Sequence, residues 1–210
     1  MQIDIHTHKN CTDKNTISIL NINYSKSTKP SKQILLSAGI HPWDIKNIKQ
    51  INYNFLNKNL FAVGEIGLDK TIDTPLYLQK DIFISQIKIA NKLNLPIIIH
   101  CVKAIQEIIE IKTKHAPNNI WIYHGFNKNK QIAEQLLKHN FMLSFGKDLF
   151  LGKNQNTISK IPSDKIFLET DNSDYKINDI YSQAAKLTNI NINSLEDIIY
   201  NNFLKLRIRD

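Results

Sequence analysis

Leu95 to His100 reads LPIIIH: five apolar residues, then an imidazole. It follows a long amphipathic stretch, Leu76 to Leu93, in which Leu76, Phe83, Ile87, Ala90 and Leu93 fall near a helical period and Thr74-Pro75 marks the start. A run without polar alternation suits a strand buried on both faces of a parallel sheet, and Pro96 is tolerable at its start. Similar short runs recur at Ile3 to His6, Ile17 to Tyr24 (which alternates), Ile34 to Ile40, Leu60 to Glu65, Ile120 to His124, Phe141 to Phe145 and Ile166 to Asp171. Helical patterns lie between them at Ile45 to Asn57, Ala104 to Lys114, Lys130 to His139, Ile177 to Thr188 and Ser194 to Leu206, the last opening with a capping box from Ser194 to Asp197. Ser25 to Lys32 is too short and polar for a helix, and Gly152 to Lys160 reads as irregular. Eight strands alternating with helices predict a (β/α)8 TIM-type barrel with one or two helices missing, in one domain over residues 1–210. An open doubly wound sheet is the second choice, and its GxGxxG signature is absent after the first strand.

Composition narrows the class. The 210 residues contain no apolar run of about 18, so no transmembrane helix is expected. The start, Met1-Gln2-Ile3-Asp4, lacks the basic and apolar regions of a secretory signal. Two cysteines, Cys11 and Cys101, make no disulfide framework, so a reduced cytoplasmic setting is the expectation and Cys101 reads as a small buried hydrophobe. The net charge of +8 suits a polyanionic partner, although the lysines are scattered instead of gathered in one stripe.

The histidines carry the functional signal. Of seven, His6, His8, His41, His100 and His124 follow strand-like runs, and Glu65 and Asp171 end similar ones. In a barrel, side chains from the carboxyl ends of strands converge on one site, and imidazoles with carboxylates are a ligand set for divalent metals. His6 and His8 stand two apart, so on a strand they point the same way and can hold one metal. Asp4 shares that face and suits a supporting partner. His41, in Gly39-Ile40-His41-Pro42-Trp43, reads either as a ligand or as a phosphate contact. Glu65 sits between glycines in Gly64-Glu65-Ile66-Gly67-Leu68-Asp69, where a carboxylate can bridge two metals. Asp69 orients a neighbour or caps the next element. In Leu168-Glu169-Thr170-Asp171, parity puts both carboxylates on one face, with Asp171 nearer the strand end and Glu169 deeper. His115 and His139 fall at helix ends, where an imidazolium favours the helix dipole.

Taken together, DIHTH, GIHPW, GEIGLD, IIIH, YHGF and LETD, in that order, resemble the TatD family of metal-dependent hydrolases in the amidohydrolase superfamily. The likeness runs from Met1 to Leu206 and includes Gln79, Phe83, Gln86, Ala90, Leu93, Pro96 and Asn202-Phe203-Leu204. It implies a barrel holding two divalent ions (Mg, Mn or Zn): His6, His8, Glu65 and Asp171 on the first, Glu65, His100 and His124 on the second, with Glu65 shared. It also implies deoxyribonuclease-type phosphodiester hydrolysis by a metal-activated water, with Asp171 and Glu65 as catalytic carboxylates and His41 and Lys103 as substrate contacts. DNA or another phosphodiester is then the expected substrate; neither a membrane nor an obligate protein partner is expected from the sequence. Three departures from the family pattern, at Val102, at Gly125-Phe126-Asn127 and at Asn172-Ser173, lie where substrate would bind and leave the substrate open. Ester or amide hydrolysis on a small molecule, and a non-catalytic metal-binding barrel, are the alternatives.

Overall fold

A computed structural model describes residues 1–10, 13–23, 34–47, 53–57, 59–116, 118–152 and 154–207. Among them eight strands hydrogen-bond in chain order in a single sheet: β1 (Gln2–Thr7), β2 (Thr16–Asn23), β3 (Ile34–Gly39), β4 (Ala62–Asp69), β5 (Ile97–Val102), β6 (Trp121–Tyr123), β7 (Phe141–Phe145) and β8 (Ile166–Leu168). Recorded pairings are parallel, and the last strand's continuation returns to the first through a parallel bridge between Thr7 and Asp171. This is the (β/α)8 barrel topology that the sequence predicts. Helices α1 (Leu76–Leu93), α2 (Ile105–His115), α3 (Lys130–Lys138), a short α4 (Asp148–Leu151), α5 (Ile177–Thr188) and α6 (Ile192–Arg207) follow the strands, with 3-10 turns at Pro42–Asn47, Gln155–Lys160 and Ser163–Lys165. No described helix is long and apolar enough to cross a membrane.

The departures from expectation have local causes. β4 runs to Asp69 instead of stopping at Glu65, so Glu65 lies inside a strand. Gly67 permits this: its φ is +152°, and a Cβ there would collide with the His100 backbone carbonyl, so only glycine lets β4 approach β5 so closely. The β4–β5 register slips between Val63↔Ile97 and Ile66↔Ile99, a bulge around Gly64-Glu65 that re-aims the glutamate. β8 ends three residues before Asp171, which has φ +51° and so does not follow strand parity. α6 starts at Ile192, two residues before the expected capping box; Asn191 caps it, its side chain accepting the Asn193 N–H. Of the expected Ile45 to Asn57 helix, residues 45–47 end a 3-10 turn that begins at Pro42, residues 53–57 form no helix, and residues 48–52 lie outside the described set. Ser25 to Lys32, Tyr24 and Cys11 also lie outside it.

Contacts group the chain into two compact units. One comprises Met1–Leu20, Ser31–Leu35 and Tyr123–Asp210. Its centre is β1, buried at all six residues. α6 lays Leu195, Ile199 and Phe203, spaced four apart, against this core, and α5 adds Ile180, Tyr181 and Ala184. The Tyr181 hydroxyl accepts the Ile3 N–H (2.9 Å) and donates to the Ile3 carbonyl (3.2 Å), fixing α5 against the start of β1.

The other unit comprises Asn21–Pro30 and Leu36–Ile122. There α1 buries Ile82, Phe83, Ile87 and Ala90 together with two glutamines on the same face. Gln86 closes a pair of hydrogen bonds on the Ile40 backbone, accepting its N–H (2.7 Å) and donating to its carbonyl (3.2 Å). Gln79 does the same at Asp69 (2.8 and 2.9 Å). A buried amide is tolerated only when its polar atoms are paired, and here the partners are backbone groups next to or at His41 and Asp69. The helix that packs the core also positions the site.

Candidate metal centre

In the first unit, His6 comes from β1, His8 directly follows the end of that strand, and Asp171 comes from the segment after β8. Their backbones are laced together: the Asp171 N–H donates to the His6 carbonyl (2.9 Å) and the His8 N–H to the Asp171 carbonyl (3.1 Å). The Asp171 Oδ1 then lies 3.5 Å from His8 Nε2 and 3.8 Å from His6 Nε2. His6 is fully buried and its ring lies 5.0 Å from that of His8 and 4.6 Å from that of His124. Donor atoms of His6, His124 and Asp171 fall within 4.8 Å of one another.

Two buried carboxylates brace this group. Asp4 accepts the Thr170 N–H (2.9 Å) and hydroxyl (2.6 Å), and that hydroxyl lies 2.9 Å from the hydroxyl of Thr7. Burial pushes the Asp4 carboxyl up to about 7, against the opposing hydrogen bonds from Thr170. Asp4 thus supports the site through Asp171's neighbour, not through the histidine rings. Glu169 lies deeper, fully buried: its Oε1 accepts the Gly125 N–H (2.8 Å) and lies 3.2 Å from His124 Nδ1. Burial raises its pKa, but the charge and hydrogen bond of His124, with help from His6 and Ser144, outweigh that and leave it lowered. A carboxylate on one ring nitrogen fixes the tautomer and presents the other nitrogen to a metal.

In the second unit the donors are His41, Glu65 and His100, again within 4.8 Å of one another. Glu65 Oε1 lies 2.7 Å from His100 Nδ1 and 3.3 Å from His41 Nε2. His100 Nε2 faces Asp69 Oδ2 at 3.4 Å. If that nitrogen carries the proton, Nδ1 and the Glu65 carboxylate aim lone pairs at one point, an arrangement that suits a cation. His41 differs. Its Nδ1 accepts the Trp43 backbone N–H (3.2 Å), so the neutral ring carries its proton on Nε2 and acts there as a donor. The sequence left His41 between ligand and phosphate contact, and this hydrogen bond favours the contact.

Asp69 is the anchor of the second group. Thr71 gives it two hydrogen bonds, from N–H (2.8 Å) and hydroxyl (2.5 Å), and the Trp43 indole a third (2.8 Å). Burial works against ionisation here, but these bonds and that of His100 outweigh it and hold the carboxyl at about 2.

The structure brings His124 beside His6 and Asp171, and His41 beside Glu65 and His100. Lys103 lies exposed just past the end of β5 with φ +54°. Cys101 is buried, as a small hydrophobe would be. His115 does end α2, but burial, with Lys114 and Lys88, lowers its pKa, so the imidazolium expected there is disfavoured. Sequence reasoning gave no role to Trp43 and did not pair Asp4 with Thr170. The adjacency of Trp43 to His41 in GIHPW was the available signal for the former.

Both donor groups combine neutral imidazoles with carboxylates, which fits a divalent cation. The comparisons with known proteins agree. A family model for TatD-related DNases matches residues 8–207. An uncharacterized metal-dependent hydrolase of Bacillus subtilis, YabD, is 31% identical over 148 residues, covering 66% of this chain. The chain spans only 58% of that relative's length. The human 3'-5' RNA nuclease TATDN2 is 32% identical over 118 residues, covering 52% of this chain and 16% of that protein. Among solved structures, the Escherichia coli TatD homologue YjjV superposes with a TM-score of 0.81 at 19% identity, covering 98% of this chain and 97% of the other, which speaks for a shared fold. On the span of the family match, the chain belongs to the TatD-related DNase family.

Proposed function

We propose that the chain is a divalent-metal-dependent phosphodiesterase acting on DNA. The observation that carries this reading is the convergence of His6 and His8 on the Asp171 carboxylate, in a chain of a family described as DNases. His6, His8 and Asp171 would hold one ion, and Glu65 with His100 another. When bound, the ions (Mg, Mn or Zn) would supply Lewis-acid charge and a water nucleophile at neutral pH. Asp171 Oδ1 would accept the proton from that water. His41 would donate from Nε2 to a non-bridging phosphate oxygen, and Lys103 would add a positive charge. Glu169 and Asp69 would hold the rings of His124 and His100. The net charge of +8 favours a polyanionic substrate.

The test is protein reconstituted with Mg, Mn or Zn and offered labelled single-stranded DNA, RNA, and a panel of esters and amides. Metal-dependent shortening of DNA is expected. Turnover of an ester or amide without any nuclease action would overturn the substrate class.

A further inference from the structure

Trp43 is 61% exposed, yet it is held on three sides. Its indole N–H donates to Asp69 Oδ2 (2.8 Å), and Asp69 is itself buried and fixed by Thr71. Its backbone N–H donates to His41 Nδ1. Its ring stands nearly perpendicular to those of His41 (centroids 4.9 Å, 83°) and His100 (5.8 Å, 75°). An indole usually gains its stability by burial, and this one is instead presented to water beside the donor group. A surface aromatic ordered before binding loses little entropy when a flat ligand stacks on it. Every nucleobase has a π-face, so such a platform holds bases with little sequence preference.

We infer that Trp43 is the base-stacking subsite of this centre, holding a substrate nucleobase while the phosphate lies at His41. The inference rests on the phosphodiesterase reading and names the part of the substrate that reading leaves out. Asp69 then has two partners to position, the indole and the His100 ring, so the base and the phosphodiester are set by one carboxylate.

Two readouts test it. The first is the KM of metal-loaded enzyme for a single-stranded oligonucleotide, against the same oligonucleotide with abasic residues flanking the scissile bond. A rise of about 10-fold for the abasic strand is expected, erased in Trp43→Leu and largely retained in Trp43→Phe, which keeps an aromatic face and loses the N–H. The second is tryptophan fluorescence titrated with deoxyadenosine monophosphate, against deoxyribose 5-phosphate. Only two tryptophans are present and Trp121 is buried, so quenching by the nucleotide alone, absent in Trp43→Phe, reports the subsite. Equal KM for both strands with DNA still cleaved overturns the stacking subsite and leaves the phosphodiesterase reading intact. If neither strand is cleaved, that reading fails and the fluorescence decides the subsite: quenching by the nucleotide alone supports it, and equal or no quenching overturns it. A Phe variant as impaired as Leu overturns stacking in favour of a role confined to Asp69.

Discussion

Thr170 gives Asp4 two hydrogen bonds, from its N–H at 2.9 Å and its hydroxyl at 2.6 Å, across 166 positions of sequence. The next residue is Asp171, whose positive φ and bridge to Thr7 set its carboxylate beside His6 and His8. Asp4→Ala strands the buried Thr170 N–H and leaves its hydroxyl only Thr7, and should cost about 1–3 kcal/mol in urea unfolding. Asp4→Asn keeps one acceptor and should cost about 1 kcal/mol. An Ala variant with wild-type stability would show that the Thr170 N–H has another acceptor.

Asp171→Asn should lower kcat on DNA by about 10²–10⁴-fold while circular dichroism and melting stay close to wild type, because its backbone bonds to His6 and His8 persist. Wild-type activity in a preparation free of contaminating nuclease would remove Asp171 as proton acceptor.

Gln86→Leu tests the link between α1 and the site. It leaves the Ile40 N–H and carbonyl without their side-chain partner and should cost about 2–4 kcal/mol. Because Ile40 precedes His41, the activity of the folded fraction should fall as well. Stability lost with activity kept would confine Gln86 to the core.

Metal should stabilise the fold. An ion that binds only the native state at 100 times its Kd adds about 2.7 kcal/mol. Melting after chelation, then with Mg, Mn or Zn, should show a rise of several degrees that His6→Ala or His100→Ala reduces. No shift with any of the three would argue against a bound ion.

Lys112 gives a pH signature remote from the donors. Its ammonium donates to the Asn119 carbonyl (2.7 Å) and lies 5.3 Å from the centre of the Trp121 ring. Burial lowers its pKa from 10.5 to about 8. Between those values the unfolded chain holds a proton that the folded one has released, so stability rises with pH across that window. Compared with Lys112→Met, the wild type should gain up to about 3 kcal/mol between pH 7 and pH 10.5. A pH-independent difference would mean that its carbonyl partners keep it charged.

The strands and helices were largely legible because their signals are local. Apolar runs located all eight strands, and the helical period located α1 and α5 at their observed ends. The boundaries that failed depend on partners. β4 continued past Glu65 because Gly67 fits under the His100 carbonyl, which no local pattern reports. Strand parity does not carry to Asp171, because the chain leaves strand geometry after Leu168 and Asp171 has φ +51°.

The sequence alone determined the order of elements, the family, and which imidazoles and carboxylates have the chemistry to hold metal, because periodicity and residue type are properties of short segments. Only the tertiary structure decided which donors meet and what braces them. His124 with His6, Asp4 with Thr170 and Trp43 with Asp69 are pairs made by chain segments far apart in sequence. These contacts depend on ångström-scale placement that the packed core supplies and local patterning does not encode.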